Sequence, residues 1–372
     1  MNDQAVENWL FRIMRDSRTT HPDYHWTFYC THPVAGRLDD SLRHLGADVI
    51  LSPVPIGRKR EFVSAMRRTI NAGGYDIMHA HHDIVSALYL LAGTGTCLKR
   101  RIVHVHNTSM SLPTPSGIKQ KIAWEPMRRT CLALSDRIVG ISKAALASMI
   151  LGPPVTPRDV VVYYGIDTSK FKKPKREREA ILEDIGVPCD ARVILFAGRM
   201  TEYKNPRFVL DVLSEVLLDC PNAIAVFAGI GPETETVATL ATARGLKDHI
   251  RMVGFRDDLP ELMLASDVLL WPGQEVPMEG LGLGIVEAQA AGLPLVMSLS
   301  VPDDAIVIAE MVSVVPLARG KVEWAKATVA KLTEPQIDRA EALRRVEASP
   351  FSLSAGTANV MALYQNIPSV VN

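Results

Sequence analysis

A chain of 372 residues, 47% hydrophobic and 22% charged, with 41 basic against 41 acidic side chains, holds enough apolar mass for two cores rather than one. Its longest strongly apolar run, Ile84 to Gly93, is about half of the ~20 residues that a membrane-spanning helix needs, so no such helix is expected. The start carries charge from Asp3 onward and lacks the apolar core and cleavage site of a secretory signal, which predicts a cytoplasmic protein.

Short β-branched or aromatic runs alternate with amphipathic stretches, the pattern of parallel βα repeats. Residues 5–14 (AVENWLFRIM) read as a helix, although a doubly wound lobe normally opens on a strand. Strands are expected at 24–31, 48–53, 76–81, 101–106, 137–141 and 160–164, with helices such as 61–71 and 118–134 between them. Charge and proline crowd into residues 165–190, and the alternation then begins again, so a boundary is expected near residue 172. The second set of strands falls at 192–197, 223–228, 249–253, 267–271, 295–299 and 311–315. One helix between them shows its period plainly: Phe208, Val209, Val212, Leu213, Val216 and Leu217 make one face, with Asn205 as N-cap and Pro206 in the first turn. An α/β protein of two doubly wound lobes follows, 1–172 and 173–350, with a closing segment 351–372.

The neutral total hides an asymmetry. Residues 1–172 hold 22 Lys and Arg against 14 Asp and Glu, leaving 19 against 27 for the rest. Basic clusters at 57–60, 99–101 and 119–129 would suit peripheral contact with an anionic membrane, or simply form solvated faces. Nucleic acid is not an expected partner. Five scattered cysteines (Cys30, Cys97, Cys131, Cys189, Cys220) form no C-x-x-C pair and predict reduced, mostly buried thiols.

Three strand-to-helix turns in the second half carry the chemistry. MEGLGLGIVEAQAAGLP (278–294) places Glu279 in the loop after a strand, Gly282, Leu283 and Gly284 where a helix begins, and Glu287 about one turn inside that largely buried helix. Ligands of open α/β sheets bind at the carboxyl ends of strands, and helix N-termini take phosphate on free backbone N–H groups. A buried Glu287 needs a donor partner, whether a protein group or ligand hydroxyls. FAGRMTEYKNP (196–206) puts Gly198, Arg199 and Lys204 after another strand, a fork and a point charge suited to a diphosphate. FAGIGPE (227–233) adds Gly229 and Gly231.

In the first half, His79, His81, His82 and Asp83 (HAHHD) and His104 and His106 (HVHN) stand at the carboxyl ends of two strands. Three readings stay open. They ligate a metal, for which carboxylate or Cys partners are missing; they are satisfied core histidines; or they bond and exchange protons with a polar substrate.

With these residues placed, the sequence resembles the family-4 nucleotide-sugar glycosyltransferases of the GT-B fold, retaining enzymes that build bacterial polysaccharides. EGLGLGIVEAQAAGLP carries the paired glutamate at the family's spacing, GRMTEYKN and GIGP precede it in order, and HAHHD and HVHN match the two histidine-bearing strand ends of the acceptor lobe. The likeness covers nearly the whole chain. It implies two Rossmann-like domains facing across a cleft, with the closing helix packing back on the first.

By that resemblance, Arg199 and Lys204 would hold the donor diphosphate with backbone N–H groups around Gly282–Gly284, and Gly198, Gly229 and Gly231 would line the donor site. Glu287 would bind the ribose, Glu279 the transferred sugar, and the base would lie near Val253 to Phe255. His106 would stabilise the leaving phosphate, while His79, His81, His82 and Asp83 would lie on the acceptor side. The family needs no metal or other cofactor beyond its nucleoside-diphosphate sugar; the leaving phosphate is thought to deprotonate the acceptor, and no hydrolase-like acid and nucleophile pair stands out here. The implied acceptor is lipid-linked or a saccharide, met at the inner membrane face. VPDDA (301–305) and Trp324 resemble the exopolysaccharide and capsule branch. Two departures are Tyr164-Gly165-Ile166-Asp167, where the family has Asn first, and the absence of the family's first strand and Gly-Gly loop, of which Met1–Ala5 resembles only the tail. An inactive nucleotide-sugar-binding partner of an assembly complex and a GT-B epimerase are the rival readings.

Overall fold

The computed structural model describes residues 5–108 and 118–365. Residues 1–4 of the stretch Met1–Ala5, compared with a loop tail, and the end of the closing segment past Gln365 therefore lie outside the described residues. Two compact units emerge, Met1–Gly165 completed by Leu353–Asn372, and Ile166–Ser352.

In the first unit the strands are β1 (Thr27–Cys30), β2 (Asp48–Leu51), β3 (Ile77–Ala80), β4 (Arg100–Val105), β5 (Arg137–Gly140) and β6 (Asp159–Val161). All pair in parallel, but in two sheets: β1 with β2, and β3-β4-β5-β6. Among the described residues no ladder joins β1 to β3. Side chains connect them instead: the Tyr364 ring lies 5.9 Å from Trp26, just ahead of β1, and 5.7 Å from His79 on β3. A helix, Ala5–Thr20, does head the unit. It buries Trp9, Leu10, Ile13 and Met14, a stripe one turn long repeated at i and i+4, and packs on the helix Leu353–Tyr364.

The second unit holds β7 (Arg192–Ala197), β8 (Ala223–Ala228), β9 (Ile250–Gly254), β10 (Val268–Trp271), β11 (Leu295–Met297) and β12 (Val312–Val314). Their order, β12-β11-β10-β7-β8-β9, is doubly wound, and the strand order reverses between β7 and β10. Every residue of β8, β10 and β11 is buried, which is why these strands read as continuous apolar runs rather than as alternation. The helix Pro206–Val216 buries Val209, Val212, Leu213 and Val216 against the sheet, and Phe208 meets the buried Trp324 edge-on at 5.4 Å.

Several local expectations change. Asn205 does precede that helix, but at φ 55° its side chain makes no capping bond; the left-handed backbone comes from the tight turn Glu202–Lys204 just before it. Only Cys131 is buried among the five cysteines, while Cys97 and Cys189 are exposed, because they fall in connections rather than on core faces. No described helix is long and apolar enough to cross a membrane.

Gly140 closes β5 against the helix Lys143–Ile150, and a Cβ there would lie 2.5 Å from the backbone nitrogen of Leu146. Backbone cannot yield as a flexible side chain can. Gly140→Ala should destabilise the first unit by about 1–3 kcal/mol in urea denaturation; an unchanged midpoint would show that this contact is not tight.

Candidate functional site

At the switch point of the second unit, the loops that leave β7 and β10 bring together residues far apart in sequence. Lys204 Nζ lies 2.6 Å from Glu279 Oε1. Trp271, the last residue of β10, donates its indole N–H to the same Glu279 oxygen at 3.1 Å, and the Lys204 ammonium sits 4.3 Å from the centre of its ring. The side chains of Lys204 and Glu279 retain only 14% and 13% exposure, so the pair is mostly out of water and each charge depends on the other. Burial pulls Lys204 below the ordinary lysine range; Glu279 opposes this, and the nearby Arg199 cation adds to the drop.

The loops around the pair are tied at both ends. Glu279 N–H donates to the Ser300 carbonyl at 2.6 Å, and Ser298 bonds both the Gly273 carbonyl and Ser300 Oγ. From the β7 side, Gln274 N–H donates to the Tyr203 carbonyl and the Tyr203 hydroxyl to the Pro277 carbonyl, each at 2.8 Å. The result is a carboxylate and an ammonium held by rigid backbone.

The glycines beside them have distinct reasons. Gly282 takes φ 78° at the head of the helix Leu283–Ala290, a left-handed turn that other residues resist. A Cβ on Gly284 would lie 2.7 Å from the Trp271 ring, so this glycine lets helix and indole meet. In the first turn of that helix Ile285 N–H donates to the Gly282 carbonyl at 2.9 Å, and the helix start carries the partial positive charge of its dipole. Gly198, Gly229 and Gly231 form a neighbouring turn pair: Gly198 N–H donates to the Ala228 carbonyl and Met200 N–H to that of Ile230. Arg199 is exposed, and its guanidinium has no hydrogen-bond or ion-pair partner among the described residues.

Glu287 departs from expectation. It lies on the helix as foreseen, yet it is half-buried rather than buried. The buried polar residue of that helix is Gln289, whose amide nitrogen donates to the Ile285 and Ala305 carbonyls while its oxygen accepts from Val307 and Ile308 N–H. Gln289 therefore latches 305–308 to the helix. Val253 is half-buried, and Phe255, just past β9, is 65% exposed.

In the first unit the histidines form one connected cluster. His79 Nε2 lies 3.1 Å from His104 Nδ1, and His81 Nδ1 3.1 Å from His106 Nε2. The outer nitrogens meet tyrosines: His79 Nδ1 with Tyr364 Oη at 2.7 Å, and His106 Nδ1 with Tyr164 Oη. Trp9 covers the cluster, its ring 5.9 Å from His81, 5.3 Å from His104 and 4.7 Å from Tyr164. Burial, reinforced by neighbouring histidines, keeps His79, His104 and His106 well below the ordinary histidine range and His81 at about 3, so all four rings are neutral. His82 instead bonds Tyr89 Oη at 2.6 Å. Asp83 accepts His106 N–H at 2.7 Å and the Asn107 amide at 2.6 Å, tying the end of β3 to that of β4.

Sequence reading missed Trp271, Tyr203, Gln289, Tyr164 and Tyr364. Trp271 left one trace, an indole ending an otherwise aliphatic strand immediately before a Pro-Gly loop.

Two units of parallel strands flanked by helices, the second doubly wound with a cationic, glycine-lined turn cluster at its switch point, define a protein of the GT-B class. Residues 177–342 match the family model of glycosyl transferases group 1, and residues 23–170 match that of glycosyltransferase family 4. The chain is thus a family-4 glycosyltransferase. The Bacillus subtilis protein EpsF, named as a glycosyltransferase, is 26% identical over 308 residues, covering 82% of this chain and 78% of its own. An Escherichia coli enzyme named UDP-Gal:alpha-D-GlcNAc-diphosphoundecaprenol alpha-1,3-galactosyltransferase is 22% identical over 276 residues, 72% of this chain and 68% of its own. Anabaena Alr3699/HepE, solved in complex with UDP-glucose, shares the fold at a TM-score of 0.75 and 18% identity, over 98% of this chain and 96% of that one.

Trp271→Phe keeps the ring over Lys204 but removes the N–H to Glu279. Loss of a hydrogen bond to a buried charge should lower the stability of the second unit by about 1.5–3 kcal/mol. Denaturant unfolding followed by a signal from that unit checks it; no change would mean that water replaces the indole without cost.

Proposed function

We propose that the chain is a retaining glycosyltransferase that moves a sugar from a nucleoside-diphosphate donor to a lipid-linked or saccharide acceptor in the assembly of a bacterial surface polysaccharide. The observation that carries this is the Lys204–Glu279 pair under Trp271 at the switch point of the second unit. A diphosphate arriving over the N-terminus of the helix Leu283–Ala290 offers Lys204 a second anion, with Arg199 available as a bidentate partner. Glu279, relieved of the ammonium, turns its free acceptor capacity to sugar hydroxyls, and the half-buried Glu287 takes the ribose. Phe255 supplies an exposed ring for the base.

In this reading Gly198, Gly229 and Gly231 allow the two turns to approach the donor, and His106 steadies charge on the leaving phosphate. That phosphate takes the acceptor proton as the new glycosidic bond forms on the same face, so configuration is kept without an enzymic nucleophile. No metal is needed where two cations and helix N–H groups meet the diphosphate. His79, His81, His82 and Asp83 shape the acceptor side. The E. coli relative, by its name, uses UDP-Gal and a diphosphoundecaprenol-linked acceptor, which supports a nucleotide-sugar donor and a lipid-linked acceptor; in this reading the basic first half meets that acceptor at the cytoplasmic membrane face.

A donor screen with UDP- and GDP-sugars tests the reading: the fitting donor at about 100 times its dissociation constant should stabilise the protein by roughly 2.7 kcal/mol, and nucleoside diphosphate should be released only when acceptor is added. Sugar epimerised without acceptor would replace the reading by an epimerase, and binding without any turnover by a binding partner. Within the site, Glu279→Gln should cut kcat about 10–100-fold while nucleotide affinity holds or rises, because Lys204 loses its internal anion. Glu287→Ala should weaken free nucleotide binding by about 10–100-fold. Equal binding losses in both variants would refute this division of roles.

A further inference from the structure

The histidine cluster of the first unit has a donor arrangement that hydrogen bonding alone leaves incomplete. His79 and His81 stand two residues apart on and just past β3, and His79 is in register with Ile102 of β4. His104 is two residues beyond Ile102, so strand alternation sets all three imidazoles on one face of the sheet. Each offers a ring nitrogen, and the three nitrogens lie within 4.8 Å of one another.

A neutral network cannot satisfy them all. If Tyr364 donates to His79 Nδ1, then His79 Nε2–H donates to His104 Nδ1, and His104 Nε2–H is left without an acceptor. With the tautomers reversed, His104 Nε2 becomes an acceptor without a donor. Either way a nitrogen of a fully buried ring has no partner, a state that costs about 1–3 kcal/mol. Meanwhile the Tyr364 hydroxyl holds the outer nitrogen of His79 at 2.7 Å, which is how second-layer groups fix the tautomer and aim of metal-binding imidazoles.

We propose that His79, His81 and His104 bind a single borderline transition-metal ion of the zinc type. Three imidazoles with no thiolate and no directly facing carboxylate select Zn²⁺, Co²⁺, Ni²⁺ or Cu²⁺ over Mg²⁺ and Ca²⁺. Zn–N bonds of about 2.0–2.1 Å in a tetrahedron require nitrogens ~3.3 Å apart, and the ring nitrogens of the three residues lie within 4.8 Å of one another. His81 turns inward to complete the set, and a water fills the fourth position. His79 and His81 are only half-buried, which gives the ion a way in. The ion ties β3 to β4 beneath Trp9 and is a structural element of the first unit, made without any donor-site residue.

The test uses the full chain, stripped with a chelator and titrated with Co²⁺ alone, then with Zn²⁺. One Co²⁺ per chain should bind with the intense visible absorption of a tetrahedral nitrogen site, Zn²⁺ should displace it mole for mole, and Zn²⁺ should raise Tm. Tyr364→Phe, which keeps the packing but releases His79, should weaken Co²⁺ by about 10–100-fold; His104→Gln should abolish the absorption, and His32→Ala, at an exposed position, should leave it unchanged. Absence of stoichiometric Co²⁺ absorption in the wild-type chain overturns the proposal, as does binding that persists unaltered in both Tyr364→Phe and His104→Gln. Because the readouts are spectroscopic and thermal, they stand whether or not the transferase reading holds.

Discussion

One buried ion pair organises the second unit. Lys204 and Glu279 come from different βα loops, 75 residues apart, and neither charge could be carried so far from water without the other. Holding them together pins the loop after β7 to the loop after β10, the two loops that flank the reversal of strand order. Trp271 completes the arrangement by giving Glu279 a hydrogen bond and Lys204 a π-face. Gly284 is then required, since any side chain there would collide with the indole. A pair that stabilises the free protein in this way is also poised to be exchanged: a diphosphate competes for the lysine with the glutamate, and the glutamate becomes available to hydroxyl groups.

The first unit solves a different problem. Its parallel strands lie in two sheets, and the space at the carboxyl end of β3 and β4 is filled by imidazoles, two tyrosines and Trp9 rather than by aliphatic side chains. Aromatic rings pack densely there while keeping polar edges, so two hydrogen-bonded chains form, Tyr364–His79–His104 and Tyr164–His106–His81, whose neutral imidazoles lie ring against ring. Burial is what keeps these rings uncharged, and the closing helix contributes Tyr364 to the cluster. The helix Ala5–Thr20, through Trp9, and the helix Leu353–Tyr364, through Tyr364, are thereby coupled to the strand end that carries His104 and His106.

Much of this was legible from residue order. Alternating apolar runs and amphipathic stretches identified the strands, because a parallel sheet buried on both faces demands continuous β-branched sequence. The glycine turns and the cations of GRMTEYKN were visible because helix N-termini and close backbone approach restrict the residue types allowed. Even the odd opening helix was readable from the period of Trp9, Leu10, Ile13 and Met14. What failed were statements about exposure and capping. Apolar neighbours make Glu287 read as buried, yet it is half-buried, and Gln289 is the polar residue of that helix that faces the core. Asn205 has the composition of a cap, but a left-handed φ set by the preceding turn points its side chain away.

Local sequence by itself determined the βα alternation, the places of the turns and the inventory of charged and glycine residues at strand ends, since each depends on contacts within a few residues. Partnerships were decided only by tertiary structure. That Lys204 meets Glu279 under Trp271, that Gln289 latches residues 305–308, and that four histidines join between two tyrosines all depend on strand order and register, which bring distant segments within hydrogen-bond reach and are not encoded in any one of them.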